Sequence, residues 1–256
     1  HYRRVIRTLL VGSGIEVVGD ENLQASLSDV MKHVDSNTAA VMIQSPDFFG
    51  TIHDLKALAG ATHAAGALFV HHFDPIALAL FQTPHDVGAD IGTAEGQALG
   101  IGLNFGGPYL GIFTTRKQFV HKIAGRIVGL TRDVDSTMAY VMTLRAREQD
   151  IRRERATSNI CTNQALMALA AAIYMSLMGR QGMRQVATLT YQNTHYAAKQ
   201  IGAVPGYAVV DNGPFFREFV VKCPKPVTQL NAVLADVGII GGYDLDRKST
   251  RLNSSH

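Results

Sequence analysis

Short apolar stretches alternate with segments of helical spacing along the first half of the chain. That is the rhythm of a mostly parallel sheet covered by helices. Residues 2–11 predict a helix stopped by Gly12, and Ile15 to Val18 a strand. Ser26 or Ser28 is placed to cap a short helix running to Val34, followed by a strand from Ala39 to Ile43. Asp54 to Ala65 carries helical spacing. Ala67 to Val70 predicts a buried strand that delivers His71, His72 and Asp74 to its carboxyl end, the edge where open parallel sheets bind ligands. Residues 89–111 hold seven glycines between strand-like ends, a loop-rich turnover of the sheet, and a small helix is predicted around Lys117 to Ile123.

The pattern changes from Met138. Arg145 to Arg155 predicts a charged helix, and Asn163 to Met178 a nearly all-apolar one ended by Gly179. A helix apolar on most sides is expected to be sandwiched. Gly182 to Ile201 predicts another long helix. Strands at Ala208 to Val210 and Glu218 to Val221, a helix from Val227 to Val237 and a strand at Ile239 complete the pattern. The expected organisation is a large α/β domain over 1–160, connecting long helices over 161–205 and a partial small α+β domain over 206–246. Residues 247–256 lack apolar periodicity and are read as a non-native tail.

With 46% hydrophobic and 18% charged residues over 256 positions, the chain is able to bury a sizeable core. The longest mostly apolar run, Ala165 to Met178, is shorter than the roughly 20 residues of a membrane span. Cys161 and Cys223 build no disulfide framework or metal-ligand spacing, so a reducing cytoplasm is the expected location. A net charge of +3, with three of the cations in the 247–256 tail, does not point to nucleic acid.

Asp74 precedes Pro75, the pairing of a helix-capping acid with a first-position proline. His71, His72 and Asp74, with His63 and His85 nearby, invite a metal reading, but adjacent strand side chains face opposite sides of a sheet. Hydrogen-bonded histidines are expected instead. Gly12-Ser13-Gly14 follows a helix and lacks a third glycine, and Gly106-Gly107 has no Gly-Lys-Ser/Thr after it, so neither is a nucleotide loop. The Arg145 to Arg155 cluster interleaves Glu148, Asp150 and Glu154. Glu148 and Arg152 are spaced as an i, i+4 pair, which fits a mixed-charge face. Thr157-Ser158-Asn159 and Thr162-Asn163-Gln164 read as caps and turn bonds.

Three blocks together resemble glycine decarboxylase, the pyridoxal-phosphate-dependent P-protein of the glycine cleavage system. More narrowly, they resemble subunit 1 of its two-subunit form. They are Arg147-Glu148-Gln149-Asp150-Ile151-Arg152-Arg153-Glu154-Arg155 running on to Gln164; Gly88-Ala89-Asp90-Ile91 through Glu95-Gly96-Gln97 to Gly106-Gly107-Pro108-Tyr109-Leu110-Gly111; and Gln44-Ser45-Pro46-Asp47-Phe48-Phe49-Gly50. The resemblance runs from His1 to about Asp244 and is that of a fragment, with a substantial N-terminal part expected to precede His1. Its departures are Ala124 in place of Pro, Leu130 in place of Glu, Ser136-Thr137 in place of Gly-Arg and Asp150 in place of His.

The resemblance implies a fold-type-I pyridoxal-phosphate-transferase-like large domain followed by a small α+β domain. Such enzymes hold the cofactor on a lysine, usually with an acid at the pyridine nitrogen, and Asp74 stands where that acid is placed. No lysine occurs between Lys56 and Lys117, and the expected window reads Thr93-Ala94-Glu95-Gly96-Gln97. Lys117 and Lys122 are expected on the surface. In this family one subunit carries the cofactor and the other has the same fold without the lysine. The expectation is therefore a cofactor-free subunit of glycine dehydrogenase (decarboxylating), inactive alone. Pyridoxal phosphate would be held by subunit 2 in a heterotetramer, with the lipoyl H-protein as acceptor of the aminomethyl group. Expected interface residues are Glu95, Gln97, Arg147, Arg152, Asn159 and Asn163. The alternatives are a self-sufficient pyridoxal-phosphate decarboxylase or aminotransferase with its lysine displaced or in a missing part, and a noncatalytic scaffold of the same fold.

Overall fold

A computed structural model describes residues 2–19, 22, 25–123, 125–156 and 164–245. The chain forms two units, His1–Ser45 with His53–Thr188, and Pro46–Ile52 with Leu189–His256. Among the described residues, no helix is long and apolar enough to cross a membrane.

In the first unit, α1 (Tyr2–Leu9) is followed by α2 (Leu27–Met31). Ser26, rather than Ser28, caps α2 in a reciprocal box: its hydroxyl takes the Asp29 amide, and the Asp29 carboxylate takes the Ser26 amide. The predicted strand at Ile15 to Val18 does not form. Those residues pair with no strand among the described residues, and the Val17 carbonyl accepts from the Arg7 guanidinium at 3.2 Å.

The central sheet has the order β1 (Ala40–Ser45), β2 (Leu68–Phe73), β3 (Ile91–Glu95), β4 (Gly111–Thr115). The first three strands are parallel, and β4 returns antiparallel to β3. The glycine-rich turnover is thus the reversal between β3 and β4. Between β1 and β2 the chain forms α3 (Lys56–Ala64). It lays Leu55, Leu58 and Ala59 against Val41, Phe69, Val87 and Ala89 to make the core, with Leu27, Val30, Val34 and Ile43 at its margin. Removing these apolar surfaces from water is the main force holding α3 to the sheet. Strand β2 runs further than predicted, so His71 and His72 lie within it. Strands on both sides supply backbone partners for those residues.

Past β4 the predicted small helix is a single 3-10 turn, Lys117–Phe119. A hairpin absent from the sequence reading follows, β5 (Ile127–Arg132) with β6 (Met138–Thr143). Asp133 closes it by accepting the amides of Asp135 and Thr137 on Oδ1, at 2.9 Å each.

The charged segment is not one helix. It is a 3-10 turn at Arg145–Arg147, α4 (Gln149–Arg152) and a second 3-10 turn at Arg153–Arg155, interrupted where Leu144 and Arg153 take positive φ. The i, i+4 pair is also not made, since the Glu148 carboxylate lies 3.9 Å from Arg126 Nε instead. Helix α5 (Ala165–Gly202) continues across Gly179, where the backbone leaves helical geometry at φ 58°. Its N-terminal half is not sandwiched in this chain: Leu166, Leu169, Ile173 and Leu177 are exposed.

In the second unit β7 (Ala208–Val209) pairs antiparallel with β8 (Val221–Lys222), and α6 (Val227–Asp236) follows. No strand forms at Ile239. Residues 46–52 are sewn to this unit by a bridge between Thr51 and Phe215 and by the Ile52 amide, which donates to the Pro214 carbonyl at 2.7 Å.

Candidate functional site at the carboxyl edge of the sheet

The three parallel strands end side by side at Ser45, Phe73 and Glu95. His71 is buried, and its Nε2 is 3.1 Å from the Ser45 carbonyl. A carbonyl only accepts, so that nitrogen carries the proton. Nδ1 has no partner. Burial pushes the His71 pKa down, opposed by the Ser45 bond and reinforced by the neighbouring His72. Burial also lowers His72, while the Glu95 carboxylate pulls the other way. His72 points to the other face of β2, with Nδ1 3.0 Å from Thr93 Oγ1 and its ring against Tyr2 at 5.4 Å. The two imidazoles therefore do not converge on one ion. Among the described residues, no group of three or more His, Cys, Asp or Glu is placed to hold a metal.

Asp74 follows β2 directly. Its Oδ1 accepts from the amides of Ile76 at 2.8 Å and Ala77 at 3.3 Å, starting the 3-10 turn Ala77–Ala79. The carboxylate thus caps the chain where it turns down off the sheet. Glu95 closes β3, and its Oε1 accepts from the Gln97 and Leu110 amides, both at 3.0 Å. Gln97 reaches the Gly102 carbonyl through Nε2 at 3.3 Å. In the window where a cofactor lysine is expected, the chain carries this acid and no lysine. Lys117 and Lys122 are exposed beyond β4.

Arg147 lies away from this edge and is buried. Its guanidinium donates to the carbonyls of Leu144, Ile123 and Gly125. Arg152 is exposed at the end of α4. Asn159 and Asn163 lie outside the described residues, as do Ala124 and the tail from residue 246. Sequence reasoning missed Asp90, a buried acid at the opposite edge of the sheet that ties His63, Phe69 and Arg116 together. The available signal was a lone acid beginning an apolar strand.

The family model described as "Glycine cleavage system P-protein" matches residues 1–251. Among curated relatives, the probable glycine dehydrogenase (decarboxylating) subunit 1 of Thermomicrobium roseum is 48% identical over 248 residues, covering 96% of this chain and 55% of that protein. The chain thus spans about half the length of the curated relatives it matches. A crystal structure of glycine decarboxylase (P-protein) of the glycine cleavage system, in inhibitor-bound form, superposes with a TM-score of 0.87 at 37% identity, over 96% of this chain and 56% of that one. The sphingosine-1-phosphate lyase of Burkholderia pseudomallei gives a TM-score of 0.55 at 15% identity, over 83% of this chain and 46% of that one, a likeness of fold alone. The fold is the α/β fold of the fold-type-I pyridoxal-phosphate enzymes. By its match to the family model over nearly its whole length, the chain belongs to the glycine cleavage system P-protein family.

Proposed function

We propose that this chain acts as the cofactor-free subunit of a heteromeric glycine dehydrogenase (decarboxylating). In that role it supports decarboxylation of glycine and transfer of the aminomethyl group to the lipoyl H-protein. The observation that carries the reading is the chemistry of the carboxyl edge. No lysine stands in the expected window, Glu95 there is bonded to two backbone amides, and Asp74 caps the following turn. These residues do not fit a pyridoxal phosphate held on this chain, so we assign the cofactor to subunit 2. Bound there, it would supply the electron sink for loss of carbon dioxide. The present chain would contribute a folded partner, walls that exclude water and polar groups at the subunit boundary. Glu95, Gln97, Arg147, Arg152, Asn159 and Asn163 are the interface candidates. The organisation that accompanies this reading is a large domain over 1–160, connecting helices over 161–205 and a small domain over 206–246.

The test mixes the chain with pyridoxal phosphate and borohydride. No lysine should be trapped, and glycine–bicarbonate exchange should arise only when subunit 2 is added. An adduct on Lys117 or any other lysine, or exchange by the chain alone, would refute the reading in favour of a self-sufficient enzyme. No exchange with subunit 2 present would favour a noncatalytic scaffold.

A further inference from the structure

His71 lies within β2 and is only 3% exposed. Its Nε2 proton goes to the Ser45 carbonyl at 3.1 Å. Burial pushes its pKa down, so the ring is neutral and Nδ1 is left as an acceptor. Among the described residues no donor reaches that nitrogen. The strand neighbours of His71 are Ile43 and Gly92, and its ring meets that of Phe73 edge-on at 6.1 Å; none of the three offers a side-chain donor. Ser45, on the other side of the same joint, is buried as well. Its Oγ accepts the His53 amide at 3.0 Å, while its hydroxyl proton meets no acceptor among the described residues.

A buried acceptor and a buried hydroxyl proton, on two residues already in contact, call for a small molecule that donates to one and accepts from the other. Water does both. A second ring proton would not serve, because it would charge a buried imidazole and leave the new N–H without an acceptor. A metal ion would need further ligands, and among the described residues no group of three or more His, Cys, Asp or Glu is placed to supply them. We propose that His71 Nδ1 and the Ser45 hydroxyl hold one buried water molecule, which donates to the ring nitrogen and accepts the hydroxyl proton. It ties the end of β1 to β2 through side chains, beside the backbone bonds of the sheet. Immobilising one water costs less than leaving a buried acceptor unpaired.

The test is crystallographic, on the chain alone or bound to subunit 2, at a resolution that shows ordered water. The parent should carry a water peak about 2.7–3.2 Å from both His71 Nδ1 and Ser45 Oγ. His71→Phe should lose that peak, since a phenyl ring keeps the packing and offers no acceptor. No peak at Nδ1 in a map where other buried waters are ordered overturns the proposal. So does a protein donor bonded to Nδ1, or the same peak persisting in H71F. Urea unfolding gives a solution readout. Ser45→Ala keeps the carbonyl that bonds Nε2 and removes only the hydroxyl, so S45A and H71F each lose the same bridge. The midpoint shift of the double variant should then be smaller than the sum of the two single shifts. Additive shifts overturn the shared water.

Discussion

Asp90 Oδ2 lies 2.8 Å from His63 Nε2, joining the last turn of α3 to the start of β3. The same oxygen accepts the Phe69 amide at 2.9 Å, and Oδ1 is 3.3 Å from Arg116 Nε. Burial acts to raise the carboxyl pKa. The Phe69 amide, the His63 ring and the Arg116 guanidinium outweigh it and hold Asp90 below its ordinary value. D90N keeps the shape but loses the charge and an acceptor, and should cost about 2 kcal/mol, read from urea unfolding at neutral pH. The stabilisation from the depressed pKa is present above the ordinary value of 3.8 and is lost as the pH falls below it. The parent's urea midpoint should therefore drop more steeply than that of D90N as the pH falls below about 4. Parallel profiles would show that Asp90 is not coupled to folding.

His71 titrates in a different window. Its folded pKa lies below the ordinary 6.5, so the stability tied to its neutral form is present above that value and is lost as the pH falls from it toward the folded pKa. His71→Gln removes the titration, at a cost of about 1 kcal/mol for a poorer bond to the Ser45 carbonyl. The loss of stability between about pH 7.5 and pH 5.5 should shrink in the variant. An unchanged loss would assign that titration to other groups.

Gly50 takes φ +89° beside Glu218, and a Cβ built on it would fall inside the Glu218 carbonyl. Phe216, whose amide bonds to the Gly50 carbonyl at 3.3 Å, is fully buried. Gly50→Ala should destabilise the second unit by more than about 2 kcal/mol, combining left-handed strain with a backbone clash. Thermal unfolding of the variant checks it, and a melting temperature equal to the parent's would contradict this packing.

Arg147→Lys should loosen the segment around Arg145–Arg147, because an ammonium lacks the planar fork that reaches the Leu144, Ile123 and Gly125 carbonyls together. Losing those bonds should cost about 1–3 kcal/mol, and trypsin should cut faster at the neighbouring arginines. Cleavage at the parent rate would mean that the carbonyls find other donors.

The face of the β5–β6 hairpin that carries Val128, Leu130, Met138, Tyr140 and Met142 is exposed. Among the described residues, the hairpin's strands pair with no strand but each other. An isolated two-stranded ribbon with apolar edges is marginal in water and prone to pairing. The chain alone should therefore self-associate or precipitate, and Leu130→Glu should relieve this. With subunit 2 it should form a heterotetramer over an obligate interface of more than about 2,000 Å². Size-exclusion chromatography with light scattering reads both outcomes, and a stable, monodisperse monomer would contradict the first.

Much of the sheet was legible in the chain because its signals are local. A buried apolar run such as Leu68–Val70, the Ser26 to Asp29 cap and the helix break at Gly179 are each written within a few neighbouring residues. The absence of a lysine from the window before Lys117 is likewise a property of the sequence alone, and it directs the functional reading. Tertiary structure decided what depends on a distant partner. Ile15 to Val18 has strand composition and, among the described residues, no strand beside it, whereas β5 and β6 form because each is the other's partner. Arg147 belongs to a charge-dense run and is nonetheless buried, because carbonyls 22 and 24 residues away receive its guanidinium. Asp74 and Glu95 are acids whose spacing alone left their roles open. Which amides their oxygens meet was settled only when the turn after β2 and the return of the chain at Leu110 came into contact with them. Periodicity registers the faces of an element, and a hydrogen bond between residues far apart in the chain leaves no mark in it.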